Sequence, residues 1–196
     1  MHYLPQLIPI RSFVLLALLT LPMATPAVAQ GERFQATANN MSGVGRSGVI
    51  GPVDIIIDRY SSEQERNRFL AVLSERGPDA LLKVFQDAPS IGRLAAPGRI
   101  GYDIRYAVEL PAEGGGRRIV VATDRLMSFM EARNQPRTVD YPFTVVELKL
   151  KADGTGEGRA SIYARIEVDT SSNTIVLEDL GIQPVTLMNV RASKKK

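Results

Sequence analysis

The chain has 196 residues, with 24 Lys and Arg, 21 Asp and Glu, one His and no Cys. With no thiol, and with its single imidazole at position 2, it excludes a disulfide scaffold, a His/Cys zinc set, a Ser-His-Asp triad and a Cys-His pair. Four of the basic residues are Arg11, Lys194, Lys195 and Lys196, which leaves the body one basic residue short of its 21 acidic ones, so the basic stripe of a nucleic-acid binder is absent.

The first element is a leader. Arg11 precedes the apolar run Phe13 to Leu21, and the small-x-small triplet Ala27-Val28-Ala29 follows it. That order reads as a cleavable signal peptide over residues 1–29, with Gln30 opening the mature chain. The run is far short of the roughly 20 residues that span a bilayer. The expected location is the periplasm or the exterior, without membrane embedding. Cleavage also removes His2.

Residues 30–51 are polar and Gly-rich, and read as a flexible N-terminal arm with at most a short strand over Arg33–Thr37. Val53 to Tyr60 is β-branched and nearly continuously apolar, which predicts a strand covered on both faces. Ser62 then caps a helix, and Glu65 completes a capping box. Phe69, Leu70, Val72 and Leu73 give that helix an apolar face. Gly77 stops it and Pro78 opens a second helix, carried by Leu81, Leu82, Val84 and Phe85.

After Pro89 the pattern is β. Tyr102, Ile104, Tyr106, Val108 and Leu110 alternate with Asp103, Arg105, Ala107 and Glu109, which predicts a strand with one row inside and one outside. Pro111 to Gly116 turns into a second strand, Arg117 to Thr123. Phe143, Val145, Leu148 and Leu150 mark another strand, and the slipped phase between Val145 and Val146 predicts a β-bulge. Lys151–Gly158 reads as a wide hairpin turn around Asp153-Gly154. Ala160, Ile162, Ala164, Ile166 and Val168 predict one return strand. Ser171-Ser172-Asn173 turns into Ile175–Leu180, and Val185–Val190 is the last strand before a basic tail, 192–196.

Three patterns suggest chemistry. Gly43-Val44-Gly45-Arg46-Ser47-Gly48 has the G-x-G-x-x-G spacing, but a strand follows it where a dinucleotide site needs a helix N-terminus. Asp153 to Gly158 lacks the acidic spacing of a calcium loop. No cofactor and no metal site are expected. The third is the stretch Thr123 to Asp140, where charge and apolar groups mix without a period. A cleft there would use Glu131 and Asp140 as the candidate carboxylate pair, with Asp124, Arg125, Arg133, Asn134, Arg137 and Tyr141 as ligand-binding residues. The competing reading is a long connection held by Arg–carboxylate bridges. Asp54 and Asp58 share one side of their strand, and either form a carboxylate pair fit for a metal or acid site, or face solvent, or pair with Arg at a sheet edge.

The stretches Asp58-Arg59-Tyr60-Ser61-Ser62-Glu63-Gln64-Glu65-Arg66, Arg76-Gly77-Pro78-Asp79-Ala80-Leu81-Leu82, Gly101-Tyr102-Asp103-Ile104-Arg105-Tyr106 and Ala132-Arg133-Asn134-Gln135-Pro136-Arg137 carry a resemblance. In them the chain resembles a family of small exported bacterial proteins without an assigned function. The resemblance spans nearly all of the mature chain and implies a single domain, with no catalytic role to carry over.

The expected fold is α+β: a mostly antiparallel sheet, able to curl toward a barrel, with one helical hairpin packed on it, in a single domain over 52–191. The leading functional expectation is an exported, non-enzymatic domain that binds a protein or small-molecule partner. The alternatives are a carboxylate-dependent, glycan-directed hydrolase and a lipocalin-like carrier, the latter with Tyr102, Ile104, Tyr106, Ile162, Ala164 and Ile166 around a cavity.

Overall fold

The structure, a computed structural model, describes residues 31–40, 48–98, 100–124, 143–161, 165–169, 171–178 and 185–194. The expected leader, 1–29, lies outside them. In chain order come β1 (Glu32–Asn40), β2 (Gly48–Ile57), α1 (Glu63–Arg76), α2 (Pro78–Asp87), β3 (Gly92–Ala95), β4 (Tyr102–Pro111), β5 (Arg117–Thr123), β6 (Val145–Leu150), β7 (Thr155–Ser161), β8 (Arg165–Asp169), β9 (Thr174–Glu178) and β10 (Val185–Lys194).

Eight strands close into an antiparallel barrel in the order β1-β10-β7-β6-β5-β4-β3-β2. Each stave neighbours the next in sequence, except that β10 follows β7 and closes onto β1. The intervening β8 and β9 leave the barrel as a two-stranded ribbon. Closure removes every sheet edge from the barrel.

The interior is a packed core. Phe34, Ile55, Ile57, Ile104, Ile119 and Leu148 point inward and keep no accessible surface. A side chain lining a void wide enough for water would retain some, so these residues meet one another at crystal-like density. Eight staves enclose a space that side chains can fill. Small residues let the wall bend. Gly156 and Gly158 on β7 face inward, and a Cβ on either would strike the backbone of β6. The expected wide turn is therefore short, around Gly154, and its later glycines belong to a tightly curved stave.

A second core covers one side of the barrel. The capping box forms as expected: the Glu65 amide donates to Ser62 Oγ and the Ser62 amide donates to Glu65 Oε2. Gly77, at φ 79°, ends α1, and Pro78 opens α2. Phe69, Leu70, Leu73, Leu81 and Phe85 pack on the outward-facing Tyr106, Val108, Val120 and Val145, joined by Ile175 from β9. Phe85 stands edge-on between Phe69 and Phe143, with ring centroids 5.1 and 5.4 Å away.

Several expectations change. The segment assigned to an arm supplies the full stave β1 and the start of β2, because Ala36 and Ala38 suffice as inward residues at a crowded wall. The strict alternation of β4 breaks at Arg105: Ile104 pairs with Thr123 but Tyr106 with Ala122, so a bulge turns Tyr106 and Val108 outward and Ala107 inward. The Val145/Val146 bulge does not form. β6 keeps unbroken register with both neighbours, and the two valines are both buried because the barrel core lies on one face and the helices on the other. The single strand expected from Ala160 to Val168 is two, β7 and β8, in different sheets. The last strand runs on to Lys194, so the tail begins inside β10.

Candidate functional site

Of the ligand-binding set read from the sequence, Asp124 alone falls within the described residues; Arg125, Arg133, Asn134, Arg137 and Tyr141 lie outside them, as do the carboxylates Glu131 and Asp140. Asp124, just past β5, is engaged by a neighbour on the barrel wall. Arg105 Nε and Nη2 both donate to its Oδ2, at 3.0 and 2.8 Å. The bulge that displaces Arg105 lets the same guanidinium reach Asp103 Oδ2 at 3.1 Å and the Ala88 carbonyl at the end of α2. This arrangement fastens both α2 and Asp124 to the wall.

Asp54 is likewise structural. Arg33 Nη2 donates to it at 2.8 Å, and Gln35 Nε2 at 3.2 Å, across the β1–β2 pair. Asp58 is exposed at the end of β2.

The densest polar constellation sits at one mouth of the barrel. Glu32, at the start of β1, and Arg117, at the start of β5, lie on the inward rows of their staves. Arg117 Nη1 donates to both Glu32 oxygens, at 2.8 and 3.0 Å, and to Glu109 Oε2 on β4, at 3.0 Å. The Tyr60 hydroxyl donates to Glu32 Oε2 at 2.8 Å. The guanidinium carbon stands 5.9 Å from the Phe34 ring centroid, over the top layer of the interior core. Burial, followed by the Glu32 carboxylate, pushes the Tyr60 phenol above its ordinary range. Burial opposes the Arg117 charge, but Glu32 and Glu109 outweigh it and raise the guanidinium above the usual Arg value.

Two carboxylates on one guanidinium nitrogen are close enough, by distance alone, for glycoside chemistry. The group between them decides against it: Arg117 occupies the place a scissile bond would take, and the mouth is stoppered. A second polar row lies on the outer wall, where buried Glu147 is flanked by Arg159 at 2.7 Å and Arg118 at 3.7 Å. Among the described residues, no three His, Cys, Asp or Glu side chains are grouped as metal ligands.

Sequence reading missed the mouth cluster. Glu32 and Arg117 are 85 positions apart, and only barrel closure brings them together. The available signal was the break in period: a Glu and an Arg each opening a strand whose next inward positions are apolar. The chain matches no protein-family model, no curated protein and no solved structure.

Proposed function

We propose that the protein is an exported, non-catalytic interaction domain, periplasmic or secreted, whose barrel is a solid scaffold for its outer surface. The observation that carries this reading is the filled interior: the inward side chains at its centre, Phe34, Ile55, Ile57, Ile104, Ile119 and Leu148 among them, keep no accessible surface. A carrier needs the opposite, a wall facing a void. Tyr106, one of the residues expected to line such a void, faces the helices on the other side of the wall. A hydrolase needs an open pair of carboxylates, and Glu32 with Glu109 is closed by Arg117. Among the described residues no helix is long and apolar enough to cross a membrane.

The test has two arms. Purified protein is assayed on generic ester, glycoside and phosphate substrates, and its thermal midpoint is followed with a panel of fatty acids and other apolar ligands. The expected result is neither turnover nor a ligand-dependent shift. Turnover abolished by Glu131→Gln or Asp140→Asn would establish the hydrolase instead, and a saturable rise in midpoint would establish the carrier.

A further inference from the structure

We infer that the outer wall beside the first turn of α1 binds a dianionic phosphate or sulfate group, held between Arg66 and Arg118. This deepens the interaction reading and rests on it, by naming one group that the outer surface takes.

The start of α1 is pinned to the wall. The Ser61 amide donates to the Ala107 carbonyl at 2.8 Å, and the Ala107 amide donates to Ser61 Oγ at 3.1 Å. Further along, the Phe69 ring stands 6.3 Å from Tyr106. Arg66 lies between these anchors, one turn before Phe69 and Leu70 and on the same helix face. It therefore stands over the β4–β5 part of the wall. One outward row there runs across four staves as Val108, Val120, Glu147 and Arg159. Arg118 is the neighbouring outward residue of β5, two positions from Val120.

Three guanidiniums thus share this wall with one carboxylate. Arg159 Nε and Nη2 both engage Glu147 Oε2, at 2.8 and 2.7 Å. Arg118 Nη1 stands 3.7 Å from Glu147 Oε1, too far for a hydrogen bond, so its donors remain available. Arg66 has no ion-pair partner among the described residues, and its Nε is sealed from solvent without a hydrogen bond. A buried donor left unmade is costly, and an oxyanion supplies the acceptor. One carboxylate against three guanidiniums leaves two positive charges, which a phosphate or sulfate neutralises. In the next row, exposed Lys149 and Glu157 stand opposite each other and cancel. Planar guanidinium forks match the oxygens of such a group. Solvent reaches the site, since Arg118 keeps 27% of its side-chain surface. Both cations also bear on Tyr106: burial raises its phenol, and Arg66 and Arg118 each oppose that rise.

The test titrates the purified protein with sodium sulfate, inorganic phosphate and methyl phosphate at constant ionic strength, by calorimetry and by thermal midpoint. Saturable binding of all three would support a group carried on an ester, and binding of the inorganic ions alone would support a free ion. Phosphate should bind more weakly as the pH falls through about 6, where it loses a charge, while sulfate should not change. Arg66→Met and Arg118→Gln should each weaken sulfate by about tenfold or more. Lys149→Gln, on the same wall, should leave it unchanged. Arg66→Met removes an unpaired donor and should not lower the midpoint of the free protein; should it fail to fold, Arg118→Gln carries the test. A midpoint that rises without saturation, and equally in both Arg variants, would be salt exclusion from the surface and would overturn the inference. An equal loss in Lys149→Gln would overturn it too, by assigning the affinity to diffuse charge. Either result leaves the broader interaction reading intact, whereas release of inorganic phosphate from methyl phosphate would overturn that reading's non-catalytic part and not this site.

Discussion

The Tyr106 hydroxyl lies 2.8 Å from Thr174 Oγ1, and neither side chain keeps any accessible surface. This one contact joins the barrel wall to the ribbon that the chain sends out between β7 and β10. Tyr106→Phe keeps the ring packing against Phe69 but deprives the Thr174 hydroxyl of its partner. An unsatisfied buried group costs about 1–3 kcal/mol, so the stability read from urea melts should fall by that amount. Thr174→Val leaves the buried phenol unpaired in its turn and should cost a similar amount, about 1–3 kcal/mol. The double variant should be less destabilised than the sum of the two. A Tyr106→Phe variant as stable as the parent would show that the ribbon is held some other way.

The capping box predicts an acid limb in the stability curve. Hydrogen bonds from Arg59, then the Ser62 cap, hold the Glu65 carboxyl at about 2 against its ordinary 4.5. Because the folded value is the lower one, the stabilisation is complete above 4.5 and is lost as the pH falls through about 2. Glu65→Ala should cost about 1 kcal/mol at neutral pH, allowing for the partial exposure of the pair. Parent and variant should converge near the acid end of a pH series of urea melts. A constant gap down to the lowest pH would mean that the carboxylate contributes nothing.

The helices were legible because their signals are local: Ser62 and Glu65 are three residues apart, and Gly77-Pro78 ends one helix and starts the next. The staves were only half legible, since a strand's period shows alternation but not which row faces which core. Where both faces are buried, as at Val145 and Val146, an uninterrupted strand mimics a bulge. Where a real bulge falls at Arg105, the sequence alternates smoothly across it, because Ala107 and Tyr106 exchange sides without breaking the apolar pattern. β1 was hidden by its polar outer row. Of the candidate ligand residues, Asp124 alone could be compared, and the mouth cluster depends on closure between the first stave and the fifth.

Barrel curvature at β7 predicts an order of glycine substitutions. A Cβ at Gly158 would fall 2.6 Å from both the Glu147 carbonyl oxygen and Leu148 Cδ2, and one at Gly156 would meet the Lys149 carbonyl more closely still. Neither obstacle is the free end of a flexible side chain. Gly156→Ala and Gly158→Ala should each cost about 2–3 kcal/mol, read as soluble yield and urea midpoint. Gly154, at φ 80° in the turn, has only a 3.4 Å contact with Ala192 Cβ, so Gly154→Ala should cost about 1 kcal/mol. The reverse order would mean that β7 can shift outward to admit a methyl group.

Removing the cation at the barrel mouth exposes what the cluster does. Arg117→Met keeps the stem over Phe34 but leaves Glu32 and Glu109 side by side with no guanidinium between them. Breaking a buried ion pair costs about 3–5 kcal/mol, and at this mouth, where Arg117 keeps 26% of its side-chain surface, about 2 kcal/mol is expected at neutral pH. The deficit should shrink in high salt, which screens the two carboxylates from each other. Arg117→Lys restores the charge without the planar fork and should recover part of the loss. A deficit that stays constant across salt would assign the loss to packing on Phe34 alone, and the stopper would then be apolar rather than ionic.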